Sequence, residues 1–329
     1  MRVGFVISNA STVTPTHSTM HIARAVLAAG HGACFIEPWD FELAPGGRLL
    51  ARVQWFEAAD RSIVELVDAL SRRVALRRVV ELDHLDRLLL RMNPLDLSAL
   101  TFAQHARARG VCVLNDPVDL LRTAHKSFLA ELTDVSVPET LVTRSFSAAE
   151  RFASGLPEGV VLKPARACGG KGVALVHGRR RAQLEPAFEA AAAAGDGYVV
   201  VQEYLSEAAE GERRILWLDG ALIGAYRRER PPRDFRHNLK VGGVPGPTSI
   251  DAADRVLLAP LGPHLRRSGV WFAGVDVIGR RIVEVNTLNP GGVHYAEEFG
   301  DGGVAARIVH SLESRDPSAN TNQSMKAVS

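Results

Sequence analysis

Short apolar runs alternate with helical stretches over about the first 120 residues, and this alternation limits the possible folds more than any other feature. The strand candidates are residues 2–8, 34–37, 85–91 and 111–114, and residues 21–29 form a helix candidate that ends at Gly30. Strands that alternate with helices build open α/β sheets, and ligands bind beyond the carboxyl ends of their strands. The sequence therefore predicts an N-terminal open parallel α/β domain, with residues 8–16, 91–94 and 115–117 at its ligand-binding edge.

The rest of the chain has mostly strand signals. The candidates are residues 139–143, 159–163, 198–204, 214–218, 222–226, 272–278 and 281–285, with one alanine-rich helix at 183–194. Asp219-Gly220 and Gly279-Arg280 are placed to join two hairpins. The tail from residue 316 is rich in Ser, Asn and Thr, so we expect it to be disordered. The fold class predicted for the whole chain is α+β, with α/β character in its first part.

Composition and charge exclude several classes of protein. Hydrophobic residues make up 46% of the 329 and charged residues 23%, which is typical of a soluble globular protein. A net charge of +2 is too small to indicate nucleic acid, and we expect the arginine clusters at 72–73, 77–78 and 179–181 to be solvated. No apolar run approaches the ~20 residues of a membrane span. Cys34, Cys112 and Cys168 lack metal-binding spacing, which favours a reducing cytoplasm.

The most specific chemical signal lies in residues 276–286. Glu284 and Asn286 are two positions apart in a strand, so their side chains point to the same face. A tight turn at Gly279-Arg280 would bring Asp276 beside them. Two carboxylates and an amide oxygen are ligands that suit Mg²⁺. A hairpin with polar residues on its solvent face explains the same spacing equally well.

A second signal is the segment 163–173, in which Lys163 ends an apolar strand and a glycine-rich turn follows. Backbone N–H groups of such a turn can cover phosphates. The segment is not a Walker loop, because neither Ser nor Thr follows Lys171. A plain flexible turn is the alternative.

A third signal is basic. Arg228 and Arg236 flank a Pro-Pro loop, and Asn238 follows. Guanidinium groups match phosphate and carboxylate oxygens bidentately. A solvated, charge-dense loop is the alternative, but the three signals occur together and in order along the chain.

With these residues in view, the sequence resembles the ATP-grasp superfamily and, within it, the bacterial glutathione synthetase family, over about residues 1–310. The segment 91–94, Arg-Met-Asn-Pro, resembles the family's Arg-x-Asp-Pro signature with Asn93 in place of the acid. The segment 115–117 resembles its Asn-x-Pro motif, and residues 138–144 are similar to a strand that leads into its lid domain. Lys126 and Lys163 match the two nucleotide-binding lysines of the family.

The resemblance implies roles for further residues. Gly169 and Gly170 would belong to the lid loop, and Glu212 would contact the ribose of ATP. The hinge that binds adenine would comprise Gln202, Glu203, Tyr204 and Leu205. Contacts to the phosphates and to the substrate, which are the catalytic contacts, would come from Arg214, Arg228, Arg236 and Asn238. The metal ligands would be Asp276, Glu284 and Asn286, and substrate contacts would come from Asn289, Gly291 and Gly292.

The resemblance also implies a mechanism and a domain plan. ATP would phosphorylate a carboxylate, and an amine would displace phosphate from the acyl phosphate, with Mg²⁺ or Mn²⁺ as the metal. The expected domains are an N-terminal domain (1–120), a central lid domain with the glycine-rich loop (121–203), a C-terminal domain with the metal site (204–315) and a tail (316–329). The partners implied are a small acid and a small amine, without nucleic acid or membrane, in a homo-oligomer.

The sequence indicates the reaction more closely than it indicates the substrates. Asn289 replaces a serine that is frequent in the family, and the loop 9–17 and Asn93 also depart from its pattern. Three hypotheses follow: a glutathione synthetase that joins γ-glutamylcysteine to glycine, a related ligase for another acid and amine, and a nucleotide-binding module without activity. Cys168 lies in the lid segment and is a candidate for oxidation, although the implied mechanism needs no thiol.

Overall fold

A computed structural model of the protein describes residues 1–166, 169–178, 181–232, 234–300 and 302–315. The expectations for Cys168, for Arg179 and Arg180 of the third arginine cluster and for the tail from residue 316 lie outside these residues. Three β-sheets organise the described part of the chain.

The first sheet has seven strands. They are β1 (Arg2–Ile7), β2 (Gly32–Ile36), β3 (Phe41–Ala44), β4 (Arg48–Phe56), β5 (Leu76–Glu81), β6 (Arg87–Arg91) and β7 (Cys112–Leu114). The strands β2, β1, β6 and β7 are parallel neighbours, as the sequence predicts. The strands β3 and β5 pair antiparallel with β4, and β4 pairs antiparallel with β2. The parallel part is thus confirmed, and an antiparallel extension that the sequence did not reveal is added to it.

Three helices pack on this sheet. They are α1 (Ser18–Ala28), α2 (Ile63–Ser71) and α3 (Leu97–Ala108). The first two share one core with β1, while α3 covers the opposite face. The start of α2 is fixed by a capping box, in which Ser62 and Glu65 satisfy each other's backbone N–H groups. Because both faces are covered, β1 is buried at all positions after Arg2.

The short helices α4 (Leu120–Thr123) and α5 (Ser127–Ala130) lead to the second sheet, which has four antiparallel strands. These are β8 (Thr140–Thr143), β9 (Val160–Pro164), β10 (Ala174–Val176) and β11 (Val199–Glu203), in the order β10-β9-β11-β8. The helices α6 (Phe146–Ser154) and α7 (Arg181–Ala193) contribute to a separate small core with this sheet. The Gly169–Gly170 turn therefore lies on a compact unit of its own.

The third sheet has five antiparallel strands in the order β14-β13-β12-β15-β16. These are β12 (Glu212–Leu218), β13 (Ala221–Glu229), β14 (Val244–Gly246), β15 (Phe272–Ile278) and β16 (Arg281–Asn286). The predicted hairpin at Asp219-Gly220 joins β12 to β13, and both turn residues have positive φ, at 47° and 101°. The helices that accompany this sheet are α8 (Ala252–Leu258), α9 (Leu261–Arg267), α10 (Val293–Phe299) and α11 (Val304–Ser314).

The buried side chain of Asn115 joins the first and third sheets. Its Oδ1 accepts hydrogen bonds from the backbone N–H groups of Trp271 and Phe272, both at 2.8 Å. Its Nδ2 donates to the carbonyl oxygens of Phe272 and Thr287, also at 2.8 Å. In addition, apolar residues of α11 share the core of α1 and β1. The edge of the first sheet is thereby held against β15 and β16.

Candidate functional site

A cleft of about 580 Å³ lies where the three sheets meet. Its walls carry eight lysine and arginine side chains and only three carboxylates, all from glutamate. Such an excess of positive charge in a concave site raises the local concentration of anions. The cleft is therefore suited to a polyanionic ligand.

Seventeen of the nineteen site residues expected from the sequence line this cleft. They are Lys126, Lys163, Gly169, Gly170, Gln202, Glu203, Tyr204, Leu205, Glu212, Arg214, Arg228, Arg236, Asn238, Glu284, Asn286, Asn289 and Gly291. The other two, Asp276 and Gly292, lie behind the surface. Gly292 packs so closely on Tyr226 that a Cβ would come within 2.6 Å of the ring. Asp276 is 2% exposed.

The hairpin β15–β16 gathers the three expected metal ligands. Asp276 lies directly opposite Glu284 in the strand register, and Asn286 is opposite Gly274. The Asn286 Nδ2 donates a hydrogen bond of 3.2 Å to Oδ2 of Asp276. The register thus brings two carboxylates and one amide to a single point, as the spacing predicts.

Two arginines cover Asp276, an arrangement that the spacing alone did not reveal. Arg214 lies opposite Asp276 in the register of β12 with β15, and its Nη2 donates a 2.7 Å hydrogen bond to Oδ2. Arg228 also donates to Asp276 and to Glu212. Burial alone would raise the pKa of Asp276, but the two guanidinium groups hold this pKa below its ordinary value. The carboxylate is therefore ionised and compensated by the protein itself.

Glu212 lies in the same cluster, but its pKa is shifted in the opposite direction from that of Asp276. Burial raises the pKa of Glu212 to about 7, against the attraction of Arg228 and with the repulsion of Asp276. Burial likewise raises the pKa of the Tyr226 hydroxyl. The cluster thus holds one firmly ionised carboxylate and one that is easily protonated.

The two expected nucleotide lysines reach the cleft from different elements. The Nζ of Lys163, at the end of β9, donates a 2.8 Å hydrogen bond to Oε1 of Gln202. Burial lowers the pKa of Lys163, which the nearby Glu284 partly opposes. The Nζ of Lys126 lies 3.6 Å from Oε1 of Glu284. Both ammonium groups therefore lie close to the three gathered ligands.

The glycine turn of the second sheet contacts the loop after β13. Gly169 and Gly170 have φ of 70° and 78°, which favours glycine. The Nη1 of Arg236 donates a 2.9 Å hydrogen bond to the carbonyl of Gly170, and a Cβ on Gly170 would lie 2.9 Å from Oδ1 of Asn238. The structure thus places the turn over the cleft and against the two residues expected to face the phosphates.

The segment from Gln202 to Leu205 forms one wall. The N–H of Glu203 donates to the carbonyl of Glu139 at 2.8 Å, and the N–H of Tyr204 donates to the carbonyl of Gly159 at 3.1 Å. These bonds fix the backbone as the chain passes from the second sheet to the third. The result is a rigid strip beside the glycine turn.

Lys240 lines the end of the cleft that faces α1 and was missed by the sequence-based expectations. His17 and Arg91 line the same end, from the divergent loop 9–17 and from the predicted ligand-binding edge 91–94. Isolated basic residues in loops have no periodicity or spacing that would single them out. Residues 115–117 follow the carboxyl end of β7 as predicted, but none of them lines the cleft, because Asn115 is buried and its side chain joins the sheets.

The donor set on β15–β16 is compatible with a hard divalent cation, since two carboxylates and an amide supply oxygen ligands. In the described ranges, no group of three or more His, Cys, Asp or Glu side chains forms a metal cluster. A metal here would therefore depend on Asn286 and on oxygens of a ligand. Within the same ranges, no helix is long and apolar enough to cross a membrane.

Two family models match the chain. The model described as prokaryotic glutathione synthetase, N-terminal domain, matches residues 1–122, and that described as prokaryotic glutathione synthetase, ATP-grasp domain, matches residues 125–301. The chain is 32% identical over 240 residues to the glutathione synthetase of Agrobacterium fabrum, covering 72% of this chain and 74% of that one. It is 29% identical over 321 residues to that of Brucella melitensis, covering 96% and 99%.

Solved structures share the fold at low sequence identity. The D-cycloserine synthetase DcsG has a TM-score of 0.66 at 16% identity, covering 94% of this chain and 99% of that one. The VanG D-Ala:D-Ser ligase from Enterococcus faecalis has a TM-score of 0.63 at 17% identity, with the same coverage. Together with the family models, these likenesses confirm the ATP-grasp fold expected from the sequence.

Proposed function

The chain belongs to the prokaryotic glutathione synthetase family, and we propose that it joins γ-glutamylcysteine to glycine with cleavage of ATP to ADP and phosphate. Membership makes it an ATP-dependent ligase, and this excludes the hypothesis of a nucleotide-binding module without activity. The family uses ATP and a divalent metal with small-molecule substrates. The substrates named and the residue roles below are parts of the proposal.

The observation that carries the proposal is the convergence of Glu284 and Asn286 with Lys126 and Lys163 under the glycine turn. Asp276, Glu284 and Asn286 would hold Mg²⁺, which neutralises charge on the β- and γ-phosphates when bound. Arg214 and Arg228 would keep Asp276 ionised, because they lower its pKa.

The residues around these ligands would stabilise the transferring group. The γ-phosphoryl group passes to the carboxylate of the acid, and ADP leaves. Lys126 and Lys163 would offset negative charge on the phosphates, while Arg236 and Asn238 would face the group in transfer. The Leu205 N–H would donate to adenine, since the N–H groups of Glu203 and Tyr204 are engaged within the protein.

The amide then forms when the amine nitrogen attacks the acyl carbon and phosphate leaves with the electrons of the broken C–O bond. Water would hydrolyse the acyl phosphate, so the site must exclude it. The contact of Gly170 with Arg236 and Asn238 supports this role for the glycine turn, because it covers the cleft from the side of the second sheet.

A second candidate is a ligase of the same chemistry with another acid and amine. Two departures favour it, since Asn93 and Asn289 both line the cleft, and Asn289 has a φ of 48°. These residues lie at the substrate end and leave the nucleotide end unchanged. The proposed domain limits at 120, 203 and 315 and a homo-oligomeric state also stay predictions.

Phosphate release from ATP by the purified protein tests the proposal. We expect release that depends on γ-glutamylcysteine and glycine together, with glutathione as the product by mass spectrometry. Omission of either substrate provides the control for hydrolysis alone. Release only with other acid and amine pairs would reject glutathione synthesis and support the second candidate.

A further inference from the structure

His237 is a buried histidine that lines the cleft from the loop between β13 and β14. Its side chain is 4% exposed, and its Nε2 lies 2.8 Å from the carbonyl oxygen of Ala208. Since a carbonyl oxygen can only accept, Nε2 carries the proton of this hydrogen bond. Burial lowers the pKa of the ring, although the bond to Ala208 opposes this, so the ring is neutral at pH 7. Its other nitrogen, Nδ1, is therefore a hydrogen-bond acceptor.

The Nδ1 atom of His237 faces a second acceptor. It lies 3.9 Å from Oε2 of Glu212, which is too long for a direct hydrogen bond. The other carboxylate oxygen, Oε1, accepts from Arg228, so Oε2 is the oxygen that faces the ring. Within the described ranges, no side chain or backbone N–H donates a hydrogen bond to Nδ1 or to Oε2. Two acceptors that face each other in this way are suited to the hydroxyl groups of a ligand.

This pair of acceptors lies between the two parts of the cleft that would bind the ends of a nucleotide. The carbonyl that holds His237 belongs to a 3₁₀ turn directly after the wall at residues 202–205, which would bind adenine. Its neighbours in the chain, Arg236 and Asn238, are the residues proposed to face the group in transfer. Because the ribose of a nucleotide joins its base to its phosphates, the sugar would lie beside His237.

The hydroxyl groups of a ribose match the two acceptors in number and chemistry. The 2′- and 3′-hydroxyls are on neighbouring carbons, and each has one hydrogen to donate. One hydroxyl can donate to Oε2 of Glu212 while the other donates to Nδ1 of His237. A deoxyribose supplies only one of these hydrogens, so one buried acceptor would stay unpaired, which is unfavourable.

We propose that His237 and Glu212 each accept a hydrogen bond from one of the two ribose hydroxyls of ATP. The inference rests on the proposed function, from which it takes the orientation of ATP, and it deepens that function by naming the nucleotide class: ribonucleotides rather than deoxyribonucleotides. The resemblance implies a ribose contact for Glu212, whereas His237 was not expected from the sequence. The bond from Nε2 to Ala208 fixes the ring, so Nδ1 is oriented before the nucleotide binds.

Two substitutions separate the roles of the two ring nitrogens. Gln places its amide nitrogen near the position of Nε2, so His237→Gln keeps the bond to Ala208 and removes the acceptor at Nδ1. Asn places its amide oxygen near the position of Nδ1, so His237→Asn keeps the acceptor and removes the bond to Ala208. Circular dichroism checks that both variants are folded.

Calorimetric titration with ADP, 2′-deoxy-ADP and 3′-deoxy-ADP, each with Mg²⁺, measures the contact. For His237→Gln we expect the Kd of ADP to rise about 3- to 10-fold, as for the loss of one neutral hydrogen bond. With the deoxynucleotide that lacks the hydroxyl bound by Nδ1, the Kd values of the variant and the wild type should agree within about twofold. That nucleotide identifies the hydroxyl.

His237→Asn should weaken the binding of all three nucleotides by the same factor, because it loosens the loop but keeps the acceptor. An equal loss with all three nucleotides in His237→Gln, or no loss with any, would overturn the proposal. So would a His237→Asn variant that no longer distinguishes ADP from its deoxy forms, since the selectivity would then come from the bond to Ala208.

His264→Gln is the matched control, because this histidine on α9 contacts Asp134 and does not line the cleft. It should change none of the Kd values. The titrations contain neither an acid nor an amine substrate, so they test the ribose contact independently of turnover. A selective loss in His237→Gln together with an absence of glutathione synthesis in the wild type would reject the proposed substrates and support the ribose contact.

Discussion

The two ends of the cleft hold positive charge in different ways. At the end formed by the third sheet, Arg214 and Arg228 donate hydrogen bonds to Asp276, and Arg228 also donates to Glu212. At the end near α1, Arg91 and Lys240 have no carboxylate partner in the part of the chain that the structure describes. The first pair of charges is balanced by the protein, while the second is left for a ligand.

This difference separates two uses of a buried cation. A cation that is paired within the protein contributes to the folded state, and its loss leaves an opposite charge stranded. A cation that is paired only by a ligand contributes little to the stability of the fold and more to the affinity for that ligand. The two ends should therefore respond differently to substitution, in stability at one end and in selectivity at the other.

Asp276→Asn should have the largest effect on stability. It leaves two buried guanidinium groups without their shared carboxylate, so we expect the free energy of unfolding to fall by about 3–5 kcal/mol. Equilibrium urea unfolding followed by circular dichroism measures this. Asp234→Asn, which removes the carboxylate from the more exposed pair with Arg236, should cost less than about 1 kcal/mol. Equal losses of unfolding free energy in the two variants would show that the buried cluster contributes no more to stability than the more exposed pair.

Glu284→Gln should abolish most ligase activity while the protein stays folded. Loss of a charged ligand weakens the binding of the metal and of the ATP phosphates, so we expect kcat/KM for ATP to fall about 100- to 1000-fold. Phosphate release measures the activity, and circular dichroism checks the fold. Glu298→Gln, a similar change at an exposed position on α10, is the control. Near-wild-type turnover in Glu284→Gln would remove this residue from the metal site.

Gly170→Ala should reduce activity through the lid rather than through charge. Its φ of 78° costs an alanine about 1–2 kcal/mol, and the new Cβ would approach Oδ1 of Asn238. We expect kcat/KM to fall about tenfold, with more hydrolysis of ATP per amide formed. Gly178→Ala has a similar φ of 61° but nothing within 4 Å, so it is the control for backbone strain alone. If both variants lose the same activity, contact with Asn238 does not matter.

Arg91→Met should have the smallest effect on stability, and this result sharpens the contrast with Asp276. The hydrogen bonds of Arg91 to Thr19 and to the carbonyl of Pro290 are lost. An unbalanced buried charge is removed as well, so the free energy of unfolding should change by less than about 1 kcal/mol. Urea unfolding under the conditions used for Asp276→Asn measures it. A loss of 3 kcal/mol or more would mean that Arg91 is a structural residue.

Local sequence signals predicted much of the fold. The strand β15 and the turn at Gly279 and Arg280 follow from an apolar run and a tight turn, and both lie where expected. The strand β4 was missed because most of its residues are buried on both faces of the sheet. It therefore lacks the alternation of a half-exposed strand. The strand β5 was missed because Arg77 and Arg78 resemble a solvated loop. They are indeed exposed, but on a strand.

The site was predictable where its residues are close in sequence. Glu284 and Asn286 are two positions apart, so their shared face follows from the period of a strand. The arginine cover on Asp276 depends on the order β13-β12-β15, which joins residues 48 and 62 positions apart. The same holds for the basic side chains near α1, where His17 precedes α1, Arg91 ends β6 and Lys240 follows β13. Residues this far apart in the sequence are brought together only by the tertiary fold, so their contacts cannot be predicted from local sequence signals.

Asn115 has a consequence for how such proteins diversify. All four hydrogen bonds of its side chain go to main-chain groups of Trp271, Phe272 and Thr287, so the joint does not depend on which side chains those positions carry. The boundary between the two family models, at residues 122–125, lies just after it in the chain. The hydrogen bonds of this joint would therefore be kept when an N-terminal part with this asparagine is exchanged between relatives, while the apolar contacts of α11 with α1 and β1 would still have to match. Chimeras made at this boundary would transfer one wall of the substrate end while the catalytic machinery stays in place.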